Sequence, residues 1–351
     1  MKKIDHILVL RFSAFGDVAI MIPVIRCLIH KHPNLELTIA TKQRYFGIFN
    51  EFKKIKLFSV ETEDKHKGIL GLFKLYSDLK KIKPTAVADL HSVLRTNFLE
   101  VLFRLSFFKY KRIFKGRREK LKLIAEKNKK FQPLTPTIYR YVEVFRKLGF
   151  QIDLGEHQFP LKPNLPKKLN IRNLSRNFKW VGIAPFASFP GKIYPLDLMQ
   201  KVIAFLQKEH QVFLFGNGKK ELKQILIWQT AYNNVAFFSG KLALDEELAL
   251  ISNLDLMISM DSLNGHLATN MGVKVVSIWG MTHPFLGFSP WGQTENNNLL
   301  IDRNKFPKIP TSVYGDKIPK GYELAFRSLS AKDVIEKVLE VLESRHHHNQ
   351  Q

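Results

Sequence analysis

The sequence predicts an α/β protein built from two doubly wound domains with a cleft between them. Short apolar strands alternate with helical stretches through both halves of the chain, as in parallel sheets covered by helices. The alternation breaks once, in a proline-containing stretch that is typical of a linker. The 351 residues, 45% of them hydrophobic, suffice for two cores. We expect an N-terminal domain at 1–160, a linker at 161–179, a C-terminal domain at 180–328, a final helix at 329–345 and a tail at 346–351.

Each expected strand is a short, mostly apolar run, and each expected helix follows helical spacing. In the first half we expect strands at 7–10, 35–40, 56–60 and 85–90, and helices at 18–29, 43–50, 68–81, 93–107 and 137–148. In the second half we expect strands at 180–186, 211–215, 235–238, 255–260 and 273–279, and helices at 196–209, 219–231, 245–252, 263–270 and 331–344. Pro23 is expected in or beside the first turn of its helix, where its missing N–H costs least.

The composition indicates a soluble cytoplasmic protein. The single cysteine, Cys27, rules out an intramolecular disulfide and suits a reducing compartment. The apolar run at 7–10 is too short for a signal peptide, and no uninterrupted apolar run approaches the roughly 18 residues that span a bilayer. We take the histidines at 346–348 as part of a frayed tail rather than a metal site.

The formal net charge of +24 is unevenly distributed along the chain. Residues 1–150 hold 32 Lys and Arg against 13 Asp and Glu, and the block Arg104–Lys130 alone holds 12 against 2. Such a field attracts nucleic acid, an anionic membrane face or a phosphorylated lipid. A lysine-rich surface that is merely solvated remains the alternative, but the asymmetry favours an anionic partner for the first half.

The stretch Met260–Ala268 joins a buried strand to a short helix. It places Asp261, Ser262, Gly265 and His266 where a parallel strand ends, which is where open α/β sheets bind ligands. The free N–H groups of the helix favour an anion such as a pyrophosphate. The alternative is that Asp261 or Ser262 only caps the helix.

A similar strand–loop–helix unit opens the chain at Arg11–Asp17. It contains Ser13 and Gly16, yet it has neither the three glycines of a dinucleotide fingerprint nor the Gly-Lys-Ser/Thr of a P-loop. Asp17 instead presents a carboxylate at a helix N-terminus. It is either a partner of the helix dipole or a catalytic base.

Further strand ends carry polar or small residues that face the expected cleft. Lys192 stands in a loop beside a glycine and could neutralise a phosphate as a point charge, unless it is one of many solvated lysines. The remaining candidates at strand ends are His91, Arg95, Gly216, Thr282 and His283.

These motifs, in this order, resemble glycosyltransferase family 9, the heptosyltransferases of lipopolysaccharide assembly, in the form of Bacteroidetes-like sequences. The resemblance rests on Arg11–Asp17, the Lys192 loop, Asp261–His266 and Ser277–Pro284, and it spans nearly the whole chain. It implies a GT-B fold of two Rossmann-like domains, in which the final helix crosses back to the first domain.

The resemblance also implies an inverting transfer of heptose from ADP-heptose, with no metal ion and no cofactor. It makes Asp17 the general base, Lys192 the phosphate ligand and Asp261 the donor-sugar contact. We assign to the donor site Lys192, Asp261, Ser262, Gly265, His266, Thr282, His283 and Gly216, and to the acceptor site Ser13, Gly16, His91 and Arg95. The acceptor is expected to be lipid-linked and anionic, so the enzyme would lie at the inner membrane surface and bind no nucleic acid.

One departure from the family pattern leaves the donor sugar and its base open. The family has glycine directly after Asp-Ser/Thr, whereas this chain has Leu263 there and glycine at Gly265. Two alternatives also stay open. One is a non-catalytic protein that binds nucleic acid or membrane through Arg104–Lys130. The other is a GT-B enzyme that uses a different nucleotide sugar.

Overall fold

The chain folds into two compact units, and the division differs from the expected one. The structure is a computed structural model that describes residues 4–167, 169, 178–238 and 240–344. The first unit comprises the chain up to Gly116 together with Thr135–Pro160, and the second comprises Arg117–Leu134 and the chain from Leu161 onward. Arg117–Leu134, expected in the N-terminal domain, therefore folds with the second unit. Residues 168, 170–177 and 345–351, in the expected linker, final segment and tail, lie outside the described residues.

The first unit is built on a five-stranded parallel sheet in the order β3-β2-β1-β4-β5. Its strands are β1 His6–Leu10, β2 Glu36–Thr41, β3 Lys56–Ser59, β4 Ala86–Asp89 and β5 Lys109–Arg112. The central strands β1 and β4 are buried along their whole length, which explains their almost continuous apolar sequence.

Helices cover both faces of this sheet. Those of the first unit are α1 Phe15–Lys31, α2 Gly68–Lys80, α3 Leu94–Leu105 and α5 Thr137–Leu148, and a 3-10 helix spans Gln43–Phe49. The connection through α1 leads from β1 to β2 and that through α2 leads back from β3 to β4. Right-handed crossovers therefore put α1 and α2 on opposite faces. α1 packs against α5, and α2 packs against α3.

The second unit is built on a six-stranded parallel sheet in the order β11-β10-β9-β6-β7-β8. Its strands are β6 Lys179–Ala184, β7 His210–Leu214, β8 Val235–Phe237, β9 Leu256–Met260, β10 Lys274–Trp279 and β11 Asn298–Leu300. Its helices are α4 Arg117–Leu123, α6 Leu196–Leu206, α7 Lys219–Ala231, α8 Leu244–Ser252, α9 Leu263–Asn270 and α10 Ala331–Glu343. α10 packs against α6, β9 and β10, and its apolar side joins the core of this unit.

Several local expectations were wrong. Pro23 lies in the middle of α1, not near its first turn, because the helix already begins at Phe15. The helix expected at 43–50 is a 3-10 helix. The strands β5 and β11 and the helix α4 were not expected, since β5 and α4 lie in the basic block and β11 has three residues.

The charge asymmetry along the sequence is not an asymmetry between the folded units. The first unit holds 25 Lys and Arg and 13 Asp and Glu, and the second holds 30 and 18, so each carries a formal net charge of +12. The net charge is shared more evenly between the units than between the sequence halves because Arg117–Leu134, with seven basic residues, belongs to the second unit. Unequal charge between halves is therefore no argument for an anionic partner of the first unit.

Candidate functional site

Each sheet has one point where the strand order reverses, and the candidate residues lie there. In the first unit the chain runs from β1 through β2 to β3 and then returns to β4 on the other side of β1. In the second unit β9 returns in the same way beside β6. The loops that follow such neighbouring strands diverge and leave a crevice at the carboxyl end of the sheet. The first crevice carries Asp17 and His91, and the second carries Lys192 and Asp261.

In the first unit, Asp17 forms an ion pair with the buried guanidinium of Arg11. Arg11 Nη2 meets Asp17 Oδ2, and Arg11 Nη1 donates to the carbonyl of Leu90 at 2.6 Å, which ties the loop after β1 to the end of β4. Asp17 Oδ2 also accepts the N–H of Ala14 at 3.3 Å, so Asp17 closes the start of α1. Among the described residues Asp17 Oδ1 has no hydrogen-bond donor, and the side chain is 26% exposed. One carboxylate oxygen is thus fixed and the other is open.

A second carboxylate, Asp89, organises the loop after β4. Asp89 is fully buried, its Oδ1 accepts the N–H groups of His91 and Ser92 at 2.8 Å each, and its Oδ2 accepts the hydroxyl of Tyr110 at 3.1 Å. Burial raises the pKa of Asp89, while these hydrogen bonds oppose the shift. Sequence reasoning missed Asp89, although an acidic residue at the end of a buried strand was a usable signal.

His91 is neutral and its tautomer follows from its hydrogen bond. Nδ1 accepts the N–H of Phe12 at 2.9 Å, so the proton of the neutral ring lies on Nε2. Burial, and then the positive charges of Arg11, Lys115 and Arg95, lower the pKa of His91 to about 2. His91 is therefore a poor general base at neutral pH, but it can donate a hydrogen bond through Nε2.

In the second unit, Lys192, Asp261 and Thr282 form one buried cluster. Lys192 Nζ lies 2.8 Å from Asp261 Oδ2 and donates to the Asp261 carbonyl at 3.2 Å. Thr282 Oγ1 donates to Asp261 Oδ2 at 2.9 Å. The side chains of Lys192 and Asp261 are 16% and 6% exposed, so water screens this pair weakly. Asp261 Oδ1 has no hydrogen-bond donor among the described residues.

The start of α9 shows that neither Asp261 nor Ser262 caps this helix with its side chain. Ser262 has the extended backbone of an N-cap residue but makes no capping hydrogen bond. The N–H of Gly265 is capped instead by the hydroxyl of Ser259, in the preceding strand, at 3.0 Å. A Cβ on Gly265 would lie 3.1 Å from Pro290, which explains the glycine. In the described part of the chain the N–H groups of Leu263 and Asn264 meet no acceptor, so this helix end remains open to an anion.

A turn far along the chain positions Lys192. The N–H of Gly191 donates to the carbonyl of Gly315 at 3.0 Å, and the stem of Lys192 lies against Gly315. Gly315 has φ +81°, and a Cβ there would come within 2.5 Å of Lys192 Cγ. The hydroxyl of Ser312 holds this turn by accepting the N–H of Gly315 at 2.9 Å. This support of Lys192 was not predicted from the sequence. Apart from Gly315 itself, no local sequence pattern indicates it.

His283 lies under the segment Arg117–Leu134. Its Nδ1 accepts the N–H of Phe285 at 3.1 Å, and its ring packs edge-to-face on Phe131 at 5.0 Å. The guanidinium of Arg303 stacks on the same Phe131 ring, with its Cζ 3.3 Å from the ring centroid. Burial, and then Arg303 and Lys129, lower the pKa of His283 to about 4. His283 is thus a neutral, packed residue next to Thr282.

The positions of the other predicted site residues do not by themselves indicate a functional role. Gly216 lies under Phe186 and Ile225, so it is explained by packing, and the N–H of Gly218 donates to Glu221 at 2.9 Å. His266 is buried in α9. In the first unit the remaining candidates are half-buried near the crevice, at Ser13, Gly16 and Arg95.

Among the described residues, no group of three or more His, Cys, Asp or Glu could hold a metal ion. None of the described helices is long and apolar enough to cross a membrane.

Comparisons with known proteins agree with this architecture. Residues 98–316 match the model of glycosyltransferase family 9 (heptosyltransferase). The chain is 23% identical over 301 residues to the lipopolysaccharide core heptosyltransferase OpsX of Haemophilus influenzae, with 84% of each chain covered. It is 24% identical over 351 residues to lipopolysaccharide heptosyltransferase 1 of Campylobacter coli, with 95% of this chain and 98% of that protein covered.

Solved structures share the fold. A glycosyltransferase of family 9 from Veillonella parvula superimposes with a TM-score of 0.72 at 19% identity, covering 97% of this chain and 98% of that one. The E. coli heptosyltransferase WaaC with ADP gives a TM-score of 0.67 at 14% identity, covering 96% and 99%. The predicted GT-B fold class is confirmed.

Proposed function

The chain belongs to glycosyltransferase family 9, and it is a glycosyltransferase; on this basis we propose that it transfers heptose from ADP-heptose to a lipid-linked, anionic acceptor of the lipopolysaccharide core. The transfer inverts the anomeric centre and needs no metal ion. The observation that carries the proposal is the buried Lys192–Asp261–Thr282 cluster beside the open N-terminus of α9. Relatives named as lipopolysaccharide heptosyltransferases support the choice of sugar and acceptor.

The second unit binds the donor diphosphate in this proposal. Lys192 supplies a point charge, and the free N–H groups of Leu263 and Asn264 supply hydrogen bonds along the axis of the helix dipole. These groups stabilise the negative charge that develops on the departing diphosphate, which is the task a metal ion performs in other transferases.

Asp261 holds both the lysine and the sugar. Its Oδ2 is engaged by Lys192 and Thr282, which leaves Oδ1 to accept a hydroxyl of the donor heptose. Because Oδ2 is fixed by two donors, the direction of Oδ1 is fixed as well. Thr282 is therefore a positioning residue, and Asp261 is the sugar contact.

Asp17 acts as the general base on the acceptor. Its open Oδ1 takes the proton of the acceptor hydroxyl as the hydroxyl oxygen bonds to the anomeric carbon, and the bond from that carbon to the diphosphate breaks. ADP leaves with the bonding electron pair, and the single displacement inverts the anomeric configuration. Arg11 and the N–H of Ala14 hold Oδ2 of Asp17 and so orient the carboxylate.

The acceptor site is assigned to the loops around Asp17. The neutral His91 donates from Nε2, Arg95 begins the next helix, and Ser13 and Gly16 flank the base. Arg95 and Lys115 supply positive charge near His91, which suits an acceptor that carries phosphate or carboxylate. We place the enzyme in the cytoplasm, at the inner membrane surface, where a lipid-linked acceptor lies.

Titration calorimetry with ADP, UDP, GDP and CMP, without added metal, tests the donor assignment. We expect ADP to bind most tightly and Lys192→Ala to weaken it by about tenfold to a hundredfold, the value of a charge-assisted hydrogen bond. Preference for another nucleoside diphosphate would overturn ADP-heptose and favour a GT-B enzyme with a different donor. Binding of none of them, with salt-dependent binding of polyanions, would favour the non-catalytic alternative.

A further inference from the structure

The outer side of α2 and α3 exposes an unusual number of apolar side chains. Leu70, Leu94 and Phe107 are 85%, 88% and 97% exposed. Phe107 has a left-handed backbone (φ 62°) and lies two residues beyond the end of α3. We call the whole set the α2/α3 apolar face. It consists of the half-buried Phe98 and the exposed Ile69, Leu70, Phe73, Leu94, Val101, Leu105 and Phe107.

The spacing of these residues makes one continuous face. On α3 they stand four, three and four residues apart, so they share one side of the helix over about 17 Å, while the opposite side is buried in the core of the first unit. Phe98 meets Phe73 edge-to-face at 5.1 Å, which joins the stripe on α3 to α2. The face is therefore an amphipathic surface of two helices, not a set of scattered residues.

The sequence segment that contains this face has a positive net charge. Residues 65–112 hold eleven Lys and Arg against three Asp and Glu. The acidic side chains are already engaged: Asp89 is buried, Glu100 pairs with Arg104 and Arg112, and Asp78 pairs with Lys65. On α2 and at its start, Lys74 and Lys67 are exposed and form no ion pair with any described residue.

We propose that the α2/α3 apolar face binds the surface of an anionic lipid bilayer. Apolar side chains that protrude among free lysines can enter the acyl boundary while the lysines meet lipid phosphates. The core of a protein–protein interface is instead depleted in charge. The proposal deepens the proposed function, because α3 begins beside His91 and Arg95, so the acceptor loops would lie at the membrane that holds a lipid-linked acceptor.

Vesicle flotation tests the proposal with the full chain. The vesicles are phosphatidylcholine alone, or phosphatidylcholine mixed with phosphatidylglycerol. We expect binding to the anionic vesicles, a loss of about tenfold or more in the partition coefficient for Leu105→Ser/Phe107→Ser, and a smaller loss for Lys67→Glu/Lys74→Glu on anionic vesicles only. The matched control is Leu226→Ser/Ile227→Ser on α7, where the side chains are 53% and 58% exposed, and we expect it to bind like the wild type.

Three results would overturn the proposal: no binding of the wild type to anionic vesicles, undiminished binding of Leu105→Ser/Phe107→Ser, or an equal loss in the α7 control. The replaced side chains lie in solvent, so we expect every variant to fold. A thermal unfolding transition like that of the wild type checks this. ADP titration in solution separates the two proposals. Vesicle binding without ADP binding would support the membrane-binding face and contradict the donor assignment. ADP binding without vesicle binding would support the donor assignment and contradict the membrane-binding face.

Discussion

Removing the charge of Lys192 should destabilise the second unit as well as weaken nucleotide binding, and a double-mutant cycle separates the two effects. In the wild type the side chain of Asp261 is only 6% exposed, and Lys192→Met leaves it the hydroxyl of Thr282 as its remaining side-chain donor. Removing one partner of a buried ion pair lowers the free energy of unfolding by about 3–5 kcal/mol, because the other charge stays buried without compensation. Because Lys192 itself is 16% exposed and Thr282 remains, we expect a loss near the lower end, about 3 kcal/mol.

The second variant, Asp261→Asn, and the double variant complete the cycle. Lys192→Met/Asp261→Asn removes both charges, so we expect most of the lost stability to return, to within about 1 kcal/mol of the wild type. ADP affinity should not return, because the phosphate contact of Lys192 is still absent. Urea unfolding measures the stability of the four proteins, and titration calorimetry measures their ADP affinity.

The outcome of this cycle decides what Lys192 is for. Recovery of both stability and ADP affinity in the double variant would mean that Lys192 only neutralises Asp261. A loss of stability below about 1 kcal/mol in Lys192→Met would refute the view that the pair is weakly screened. Only the recovery of ADP affinity would remove the assignment of Lys192 as a phosphate ligand.

Three further predictions follow from the second unit and its chemistry. Gly315→Ala should lower ADP affinity by displacing Lys192, whereas Gly321→Ala, which has a similar φ of +82° and open space around it, should change stability without changing ADP affinity. EDTA should leave the transfer rate unchanged, and a loss restored by a divalent cation would contradict the metal-free mechanism. His283→Asn, whose amide oxygen can replace Nδ1, should reduce the acid sensitivity of stability. The folded pKa of about 4 lies below the unfolded value of 6.5, so the stability from the neutral ring is complete above pH 6.5 and falls by up to about 2 kcal/mol by pH 5, as urea unfolding at both pH values would show.

Regular elements were predictable where local pattern and tertiary packing agree. The helices Thr137–Leu148, Lys219–Ala231 and Leu263–Asn270 have the bounds that their apolar spacing indicated. The strand β5 was missed because its sequence, Lys-Tyr-Lys-Arg, carries one buried residue, Tyr110, among charged ones.

The placement of Arg117–Leu134 could not be predicted, because its partners are remote in sequence. Lys129 donates to the carbonyls of Leu123, Lys308 and Pro310, and the last two lie 179 and 181 residues away. A basic composition predicts exposure to solvent, not a lysine that ties two segments together. Burial, and then the charge of Arg303, lower the pKa of Lys129 to about 8.

The candidate site was predictable in position but not in its supports. Asp17, Lys192 and Asp261 lie in the segments that follow strand ends, and this position together with the family resemblance singled them out. The groups that hold them come from elsewhere in the chain, since Gly315 supports Lys192 and the hydroxyl of Ser259 caps α9. Such contacts depend on tertiary geometry, which leaves no spacing pattern in the sequence.

The most direct test of the account is a transfer assay with ADP-heptose and an acceptor of the lipopolysaccharide core, comparing wild type with Asp17→Asn. Mass spectrometry follows the glycosylated product and released ADP. We expect equal amounts of both from the wild type, and a turnover rate at least about 10²-fold lower for Asp17→Asn with its ADP affinity unchanged. Transfer by Asp17→Asn at the wild-type rate, or no transfer by the wild type with ADP-heptose, would contradict the proposed reaction.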